Sequence, residues 1–197
     1  MKKILVLGAT GRIGKLLLPM LEPQENAVTA YVRSPEKAVD PAFEQVSLVK
    51  GDVLDTERLS ESMNGQDVVV AVLSGELLAY AKSIAAAMQK SHPGRVLWVT
   101  GMGIHHEVLG EVGKILDELC RKMPEYVQAA DTIAEAGMPY TLIRAAHMTD
   151  GANESYFVQE EGRPLHANAV NRIAVARFMA DLVENESGLN KSLGVTN

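Results

Sequence analysis

Eight residues near the start constrain this chain more than any other segment: Leu7-Gly8-Ala9-Thr10-Gly11-Arg12-Ile13-Gly14. They follow an apolar run, Lys3–Leu7, that reads as a strand. They open a stretch in which Ile13, Leu16, Leu17, Met20 and Leu21 form an apolar stripe at helical spacing. A strand that turns sharply into a helix needs a residue without a Cβ at the turn, and Gly8 supplies it. Gly11 lets the backbone come close to a pyrophosphate, and Gly14 lets the helix pack close against the strand. The first N–H groups of such a helix have no partners within it and carry a partial positive charge, which suits phosphate oxygens. A purely structural strand–turn–helix uses the same residues, so the motif takes its weight from its surroundings. Pro19, in the second half of the helix, is expected to kink or shorten it.

The surroundings agree with a nucleotide-binding architecture. Further strands are expected at Ala27–Val32 and at 46–49, 67–73, 95–100, 140–144 and 192–195. Several are apolar almost throughout, as when helices cover both faces of a parallel sheet. Helices are expected between them: one capped by Asp55 and ending near Met63, then 76–89, 107–121, 125–135 and 172–184. This alternation implies right-handed crossovers. The fold class is α/β, a doubly wound, mostly parallel Rossmann sheet with helices on both faces. At 197 residues the chain suits a single domain, closing on a short C-terminal helix and strand.

The second strand ends Ala30-Tyr31-Val32-Arg33-Ser34-Pro35, with no acidic residue before Glu36. An NAD site places an acid here for the ribose 2′-hydroxyl, whereas an NADP site places an arginine for the extra phosphate. Arg33 stands at that position, so NADP(H) is expected rather than NAD(H). Arg12 can approach the same phosphate from the other side, although loop arginines are also common as solvated cations. After the third strand, Lys50-Gly51-Asp52-Val53 places Asp52 to accept from an adenine amino group while Val53 packs on the ring. The same Gly-Asp pair also reads as an ordinary strand-ending turn.

Composition removes several function classes. Nineteen basic against 25 acidic side chains leave a formal charge of −6, the wrong sign for a nucleic-acid partner. The one cysteine, Cys120, excludes a disulfide within the chain and leaves no cysteine cluster for a metal; it is expected as a buried thiol in a helix. Met1-Lys2-Lys3 precedes an apolar run too short for a secretory signal, and no apolar stretch reaches the length of a membrane span. A cytoplasmic protein with neither a membrane nor a metal site is expected.

Taken together, these segments resemble the atypical short-chain dehydrogenase/reductases, in particular the compact NmrA-like and biliverdin-reductase-B-like members. The resemblance rests on GATGRIG at 8–14, YVRSPEK at 31–37 and KGDVLD at 50–55. It continues through VVVAVLSG at 68–75, RVLWVTGMG at 95–103, PYTLIRAAHMTDG at 139–151 and the closing NRIAVA and KSLGVTN, and so spans nearly the whole chain. It implies a seven- or eight-stranded Rossmann domain with the nicotinamide over the carboxyl ends of strands four to six. Position by position it implies cofactor contacts at Gly8, Thr10, Gly11, Arg12, Ile13, Gly14, Arg33, Asp52, Val53, Leu73, Ser74 and Gly75. Residues 145–148 would line the nicotinamide end.

The departures bear on chemistry. The superfamily's catalytic centre is a tyrosine with a lysine four residues later and a serine ending the fifth strand. No Tyr-x-x-x-Lys occurs here. The lysine position falls near Tyr126, and the serine position holds Thr100 or Gly101. Hydride transfer belongs to the cofactor. Flavins, quinones and bilin-like tetrapyrroles accept hydride with a proton from water. The sequence therefore suits an NADPH-dependent reductase of a conjugated small molecule better than an alcohol dehydrogenase, which needs a phenolate base. Thr100, His105 and His147, with His106, are the polar candidates near the expected mouth; each also reads as an ordinary strand or loop residue. His105 and His106 are adjacent and point apart, which disfavours a two-histidine metal site. Met102, Met138 and Met148 suit either an adaptable pocket wall or core filling. The alternative function is a non-catalytic NADP(H)-sensing regulator with a protein partner. A nucleotide-sugar epimerase or dehydratase is disfavoured by the short tail after Arg144.

Overall fold

The computed structural model describes residues 1–164 and 169–197. Its central strands are β1 (Lys3–Leu7), β2 (Ala27–Val32), β3 (Ser47–Lys50), β4 (Val68–Ala71), β5 (Arg95–Gly101) and β6 (Tyr140–Ala145). The helices are α1 (Arg12–Met20), α2 (Thr56–Met63), α3 (Leu77–Ser91), α4 (Gly110–Lys122), α5 (Glu125–Ala134) and α6 (Arg172–Asn185). Three short strands, β7 (His147–Thr149), β8 (Phe157–Glu160) and β9 (Ala169–Asn171), precede α6, and β10 (Lys191–Thr196) closes the chain.

Alternation along the strands divides the core into two layers. Ile4 and Val6 of β1 face one layer, with Leu17 and Leu18 of α1 and Phe178 and Met179 of α6. Leu5 and Leu7 face the other, with Met63 of α2, Met88 of α3 and Ile133 of α5. Burial on both faces explains the continuous apolar runs, since all four residues of β4 are buried. The sheet order is β3-β2-β1-β4-β5-β6-β10-β8, parallel throughout except where β8 pairs antiparallel with β10. The chain winds outward in both directions from β1 and β4, so their carboxyl ends form the crevice in which such sheets bind ligands.

Local expectations meet specific outcomes. Asp55 caps α2, accepting from the Arg58 N–H at 3.2 Å. Pro19 falls in the last turn of α1, which ends one residue later, with the Leu21 N–H closing onto the Leu17 and Leu18 carbonyls. The strand expected over 67–73 is confined to Val68–Ala71. The helix expected from 107 begins at Gly110, because Glu107 is drawn into the interior instead. Cys120 is half-buried rather than buried. Its thiol pKa is raised by burial and then by the charges of Asp117 and Glu107. β7, β8 and β9 have no counterpart among the expected elements. The first and last are three residues long and pair only with each other, so neither carries a readable periodicity. Among the described residues no helix is long and apolar enough to cross a membrane, and no group of three or more His, Cys, Asp or Glu is placed to hold a metal.

Candidate cofactor cleft and apolar cavity

The glycine loop is built by close backbone approach. Gly8 has φ +82°, and a Cβ there would stand 2.0 Å from the carbonyl oxygen of Val72. The Gly11 N–H donates to the Gly8 carbonyl at 2.9 Å, and the Lys15 N–H donates to the Gly11 carbonyl at 3.0 Å. The N–H groups of the first helical residues thus precede the helix's own ladder, as a phosphate cradle requires. A Cβ on Gly14 would lie 2.4 Å from the Gly8 oxygen, so its role in the structure is close packing of α1 on the loop.

A cleft of about 170 Å³ opens over this loop and the carboxyl ends of β1, β2, β3 and β4. Eight of the expected cofactor residues line it: Gly8, Thr10, Gly11, Arg33, Asp52, Val53, Leu73 and Ser74. Four do not. Ile13 is buried in the core, Gly14 backs the loop and Gly75 lies outside the lining. Arg12 is not in the lining and pairs through Nη2 with Asp150. Asp52 lines the cleft, and its Oδ1 accepts the Leu54 N–H at 3.0 Å, as in the strand-ending turn.

Tyr31, Val32, Gly51, Val72 and Tyr80 also line the cleft without having been singled out in the sequence. Tyr31 is the most informative of them. It is 2% exposed, and its hydroxyl donates to the Asp52 carbonyl at 3.2 Å. Burial, and then the nearby Asp55 carboxylate, raise its pKa. Gly51 leaves room for this ring, because a Cβ there would lie 2.1 Å from the Tyr31 oxygen. The signal available in sequence was an aromatic two residues before Arg33 on a strand whose neighbour is followed directly by a glycine. Gly51→Ala is accordingly expected to displace Tyr31 into the cleft, at a cost of about 1–3 kcal/mol in stability from overpacking. Urea unfolding checks the stability, and weakened cofactor binding in a calorimetric titration checks the displacement.

A second, largely apolar cavity of about 260 Å³ flanks the carboxyl ends of β5 and β6. Its walls are Gly101, Met102, Ile104, Leu116, Leu119, Cys120, Tyr126, Ala145, Ala146, His147 and Met148. Residues 145–148, expected at the nicotinamide end, are all in its wall. Met102 and Met148 line the cavity, while Met138 packs against the core. Tyr126, near which the superfamily's lysine was expected, is also in the wall.

The three polar candidates are not brought together. His147 lines the cavity. Thr100 is buried, lies outside the cavity lining, and its Oγ1 has no hydrogen-bond partner among the described residues. His105 Nδ1 lies 2.8 Å from the Glu161 carboxylate and 3.4 Å from Ser192 Oγ. His106 Nδ1 lies 2.8 Å from Asp117.

Beside Thr100 in the strand register stands Arg144, fully buried. Its Nη1 lies 2.5 Å from Glu107 Oε1, at ion-pair distance but without regular hydrogen-bond geometry, and its Nε donates to Ser192 Oγ at 2.9 Å. The Glu107 carboxylate also accepts the N–H of Gly103 at 2.9 Å and of His105 at 3.1 Å. Burial pushes the pKa of Glu107 up, but the Gly103 N–H and the Arg144 guanidinium outweigh it, and the net shift is downward. An arginine inside the apolar run of β6 was the sequence signal that a buried acid had to accompany it.

The geometry fits a dinucleotide, and comparison with known proteins agrees. A family model described as NAD(P)H-binding matches residues 8–186. The chain is 32% identical, over 126 residues and 63% of its length, to the 4-hydroxy-tetrahydrodipicolinate reductase of Wolinella succinogenes. That match spans 43% of the relative, less than half its length. Among solved structures, the chain is similar to a short-chain dehydrogenase/reductase from Veillonella parvula in complex with NADP. The TM-score is 0.88 at 22% identity, covering 100% of this chain and 95% of the other. It is also similar to an anaerobilin reductase from Escherichia coli, with a TM-score of 0.80 at 18% identity, covering 98% and 96% of the two chains. At these identities the likeness establishes the Rossmann fold. With the glycine loop and its cleft in place, and a family match over nearly its whole length, the chain belongs to the NAD(P)H-binding family.

Proposed function

We propose that the protein is a cytoplasmic, NADPH-dependent reductase of a flat, conjugated small molecule such as a flavin, a quinone or a tetrapyrrole. The observation that carries this reading is the apolar cavity at the carboxyl ends of β5 and β6. It belongs to the same sheet whose β1, β2 and β4 ends form the dinucleotide cleft.

Bound NADPH supplies the hydride. The chain's own residues bind, orient and exclude water. The glycine-loop N–H groups would hold the pyrophosphate, Arg33 would hold the 2′-phosphate, and Asp52 and Val53 would meet the adenine. Met102, Leu116, Leu119 and Met148 keep water from the apolar body of the substrate. Its proton comes from solvent at the cavity mouth, so no Tyr-x-x-x-Lys centre is required. The NADP held by the Veillonella relative and the anaerobilin reduced by the Escherichia enzyme support this assignment by likeness of fold.

The test is NADPH oxidation by the purified protein across flavins, quinones and linear tetrapyrroles. Absence of turnover with all three classes overturns the reading. Leu119 stands on the cavity wall with its side chain partly exposed. Leu119→Trp is expected to fill the cavity and lower kcat/KM by roughly ten-fold or more, about 1.4 kcal/mol of transition-state binding. The dissociation constant of NADPH should not change.

One observation favours the second reading, a non-catalytic NADP(H)-sensing regulator. α4 and the residue before it expose Leu109 (70%), Ile115 (66%) and Leu119 (44%) as an apolar stripe. A protein partner whose affinity differs between NADPH- and NADP⁺-loaded forms, with no turnover in the substrate screen, would select that reading.

A further inference from the structure

Arg12, the first residue of α1, is shared between the glycine loop and a second element. Its Nη2 meets the Asp150 carboxylate, and the same carboxylate lies 2.9 Å from Nη1 of Arg172. The strand register explains the Arg172 contact. β7 and β9 pair as His147↔Ala169, Met148↔Val170 and Thr149↔Asn171, so the next residues along, Asp150 and Arg172, fall side by side. Further contacts anchor this segment. Thr149 Oγ1 lies 3.2 Å from Asn171 Oδ1, and a Cβ on Gly151 would lie 2.3 Å from that same oxygen. Asp150 is therefore fixed on the α6 side. Arg12 reaches it from a different element, with a side chain 64% exposed against 19% for Arg172.

We propose that Asp150 sets the affinity of the glycine loop for its dinucleotide, because its carboxylate and a cofactor phosphate compete for the guanidinium of Arg12. The proposal rests on the dinucleotide assignment above. An exposed arginine–carboxylate pair is weak. A phosphate offers the same guanidinium a bidentate, charge-assisted contact that is stronger. The exchange therefore runs toward the phosphate, at an affinity reduced by the carboxylate that must be displaced. Arg172 keeps Asp150 paired when Arg12 leaves, so the exchange strands no charge. The pyrophosphate is the phosphate that Arg12 serves, since the residue opens α1 directly after the glycine loop and is not among the residues that line the cleft with Arg33. His147 and Met148, just before Asp150, line the apolar cavity, so the same short segment touches both sites.

The experiment is calorimetric titration of NADPH and NADH into the wild type, Asp150→Asn, Arg12→Ala and the double variant. Asp150 is exposed, so the substitution leaves the core untouched. Asp150→Asn is expected to tighten both cofactors by about three- to five-fold. Arg12→Ala weakens both, and adding Asp150→Asn to Arg12→Ala changes nothing further. Glu154→Gln is the control: this nearby carboxylate pairs with Arg177, and its loss should leave affinity unchanged. Tightening confined to NADPH also supports the competition, with the 2′-phosphate as the competitor. Unchanged or weaker binding in Asp150→Asn overturns the proposal, as does equal tightening on the Arg12→Ala background or from Glu154→Gln. Wild-type protein that binds neither cofactor overturns the dinucleotide assignment as well, which separates the two failures.

Discussion

Glu107→Ala is expected to destabilise the fold by about 3–5 kcal/mol, the usual cost of removing one partner from a buried ion pair. Glu107 and Arg144 side chains are 1% and 0% exposed, so the guanidinium left behind has no water to turn to. The two N–H groups that Glu107 accepts, from Gly103 and His105, lose their partner at the same time. The measurement is urea unfolding at neutral pH. A double variant, Glu107→Leu with Arg144→Met, should recover most of the loss, because a buried pair contributes little over apolar residues of similar volume. Equal destabilisation of the single and double variants would contradict this account. The pH dependence has a definite sign. The carboxyl of Glu107 is held below its ordinary value in the folded protein. Its contribution is therefore present above the unfolded value of about 4.3 and is lost as the pH falls through the lower folded value. Acid unfolding of the Glu107→Ala variant should accordingly lack that component.

Arg33→Ala is expected to weaken NADPH about ten- to a hundred-fold while leaving NADH nearly unchanged. A charge-assisted hydrogen bond is worth roughly 1.5–3 kcal/mol, and only NADPH carries the phosphate that makes it. Arg33 is exposed at the end of β2 and lines the cleft, so removing it alters no packing that would confuse the reading. Calorimetric titration of both cofactors into wild type and variant gives the comparison directly. Equal loss of both cofactors would mean that Arg33 does not read the 2′-phosphate. No loss of either would remove the basis for preferring NADPH.

The cofactor end was legible because its requirements are local. Gly8, Gly11 and Gly14 sit where a strand turns into a helix; a Cβ on Gly8 or Gly14 would collide with backbone a few residues away or across one neighbouring strand, and one on Gly11 would press on the Gly8 carbonyl at 3.1 Å. That Arg33 would line the cleft was legible for the same reason, since its position counts from the end of β2. Arg12 shows the limit of that logic. Its sequence position is correct for the loop, but the direction of its side chain depends on Asp150, 138 residues away. The polar candidates at the substrate end met the same limit. Thr100, His105 and His147 are close in the topology, but Glu161 and Ser192 approach His105 from later segments and the strand buries Thr100.

The sequence alone determined the strand–helix alternation, the two-sided burial of the parallel strands and the loop that begins the cleft. Those properties follow from apolar periodicity and backbone sterics, which act between residues near one another in the chain. The tertiary structure alone decided that Glu107 goes inside to meet Arg144, that Tyr31 packs beneath Gly51, and that three-residue strands bring Asp150 between two arginines. Each of these is a charge or a ring finding its partner across a long stretch of chain. Partner choice of that kind is set by desolvation and by the space left between packed elements, which no local pattern encodes.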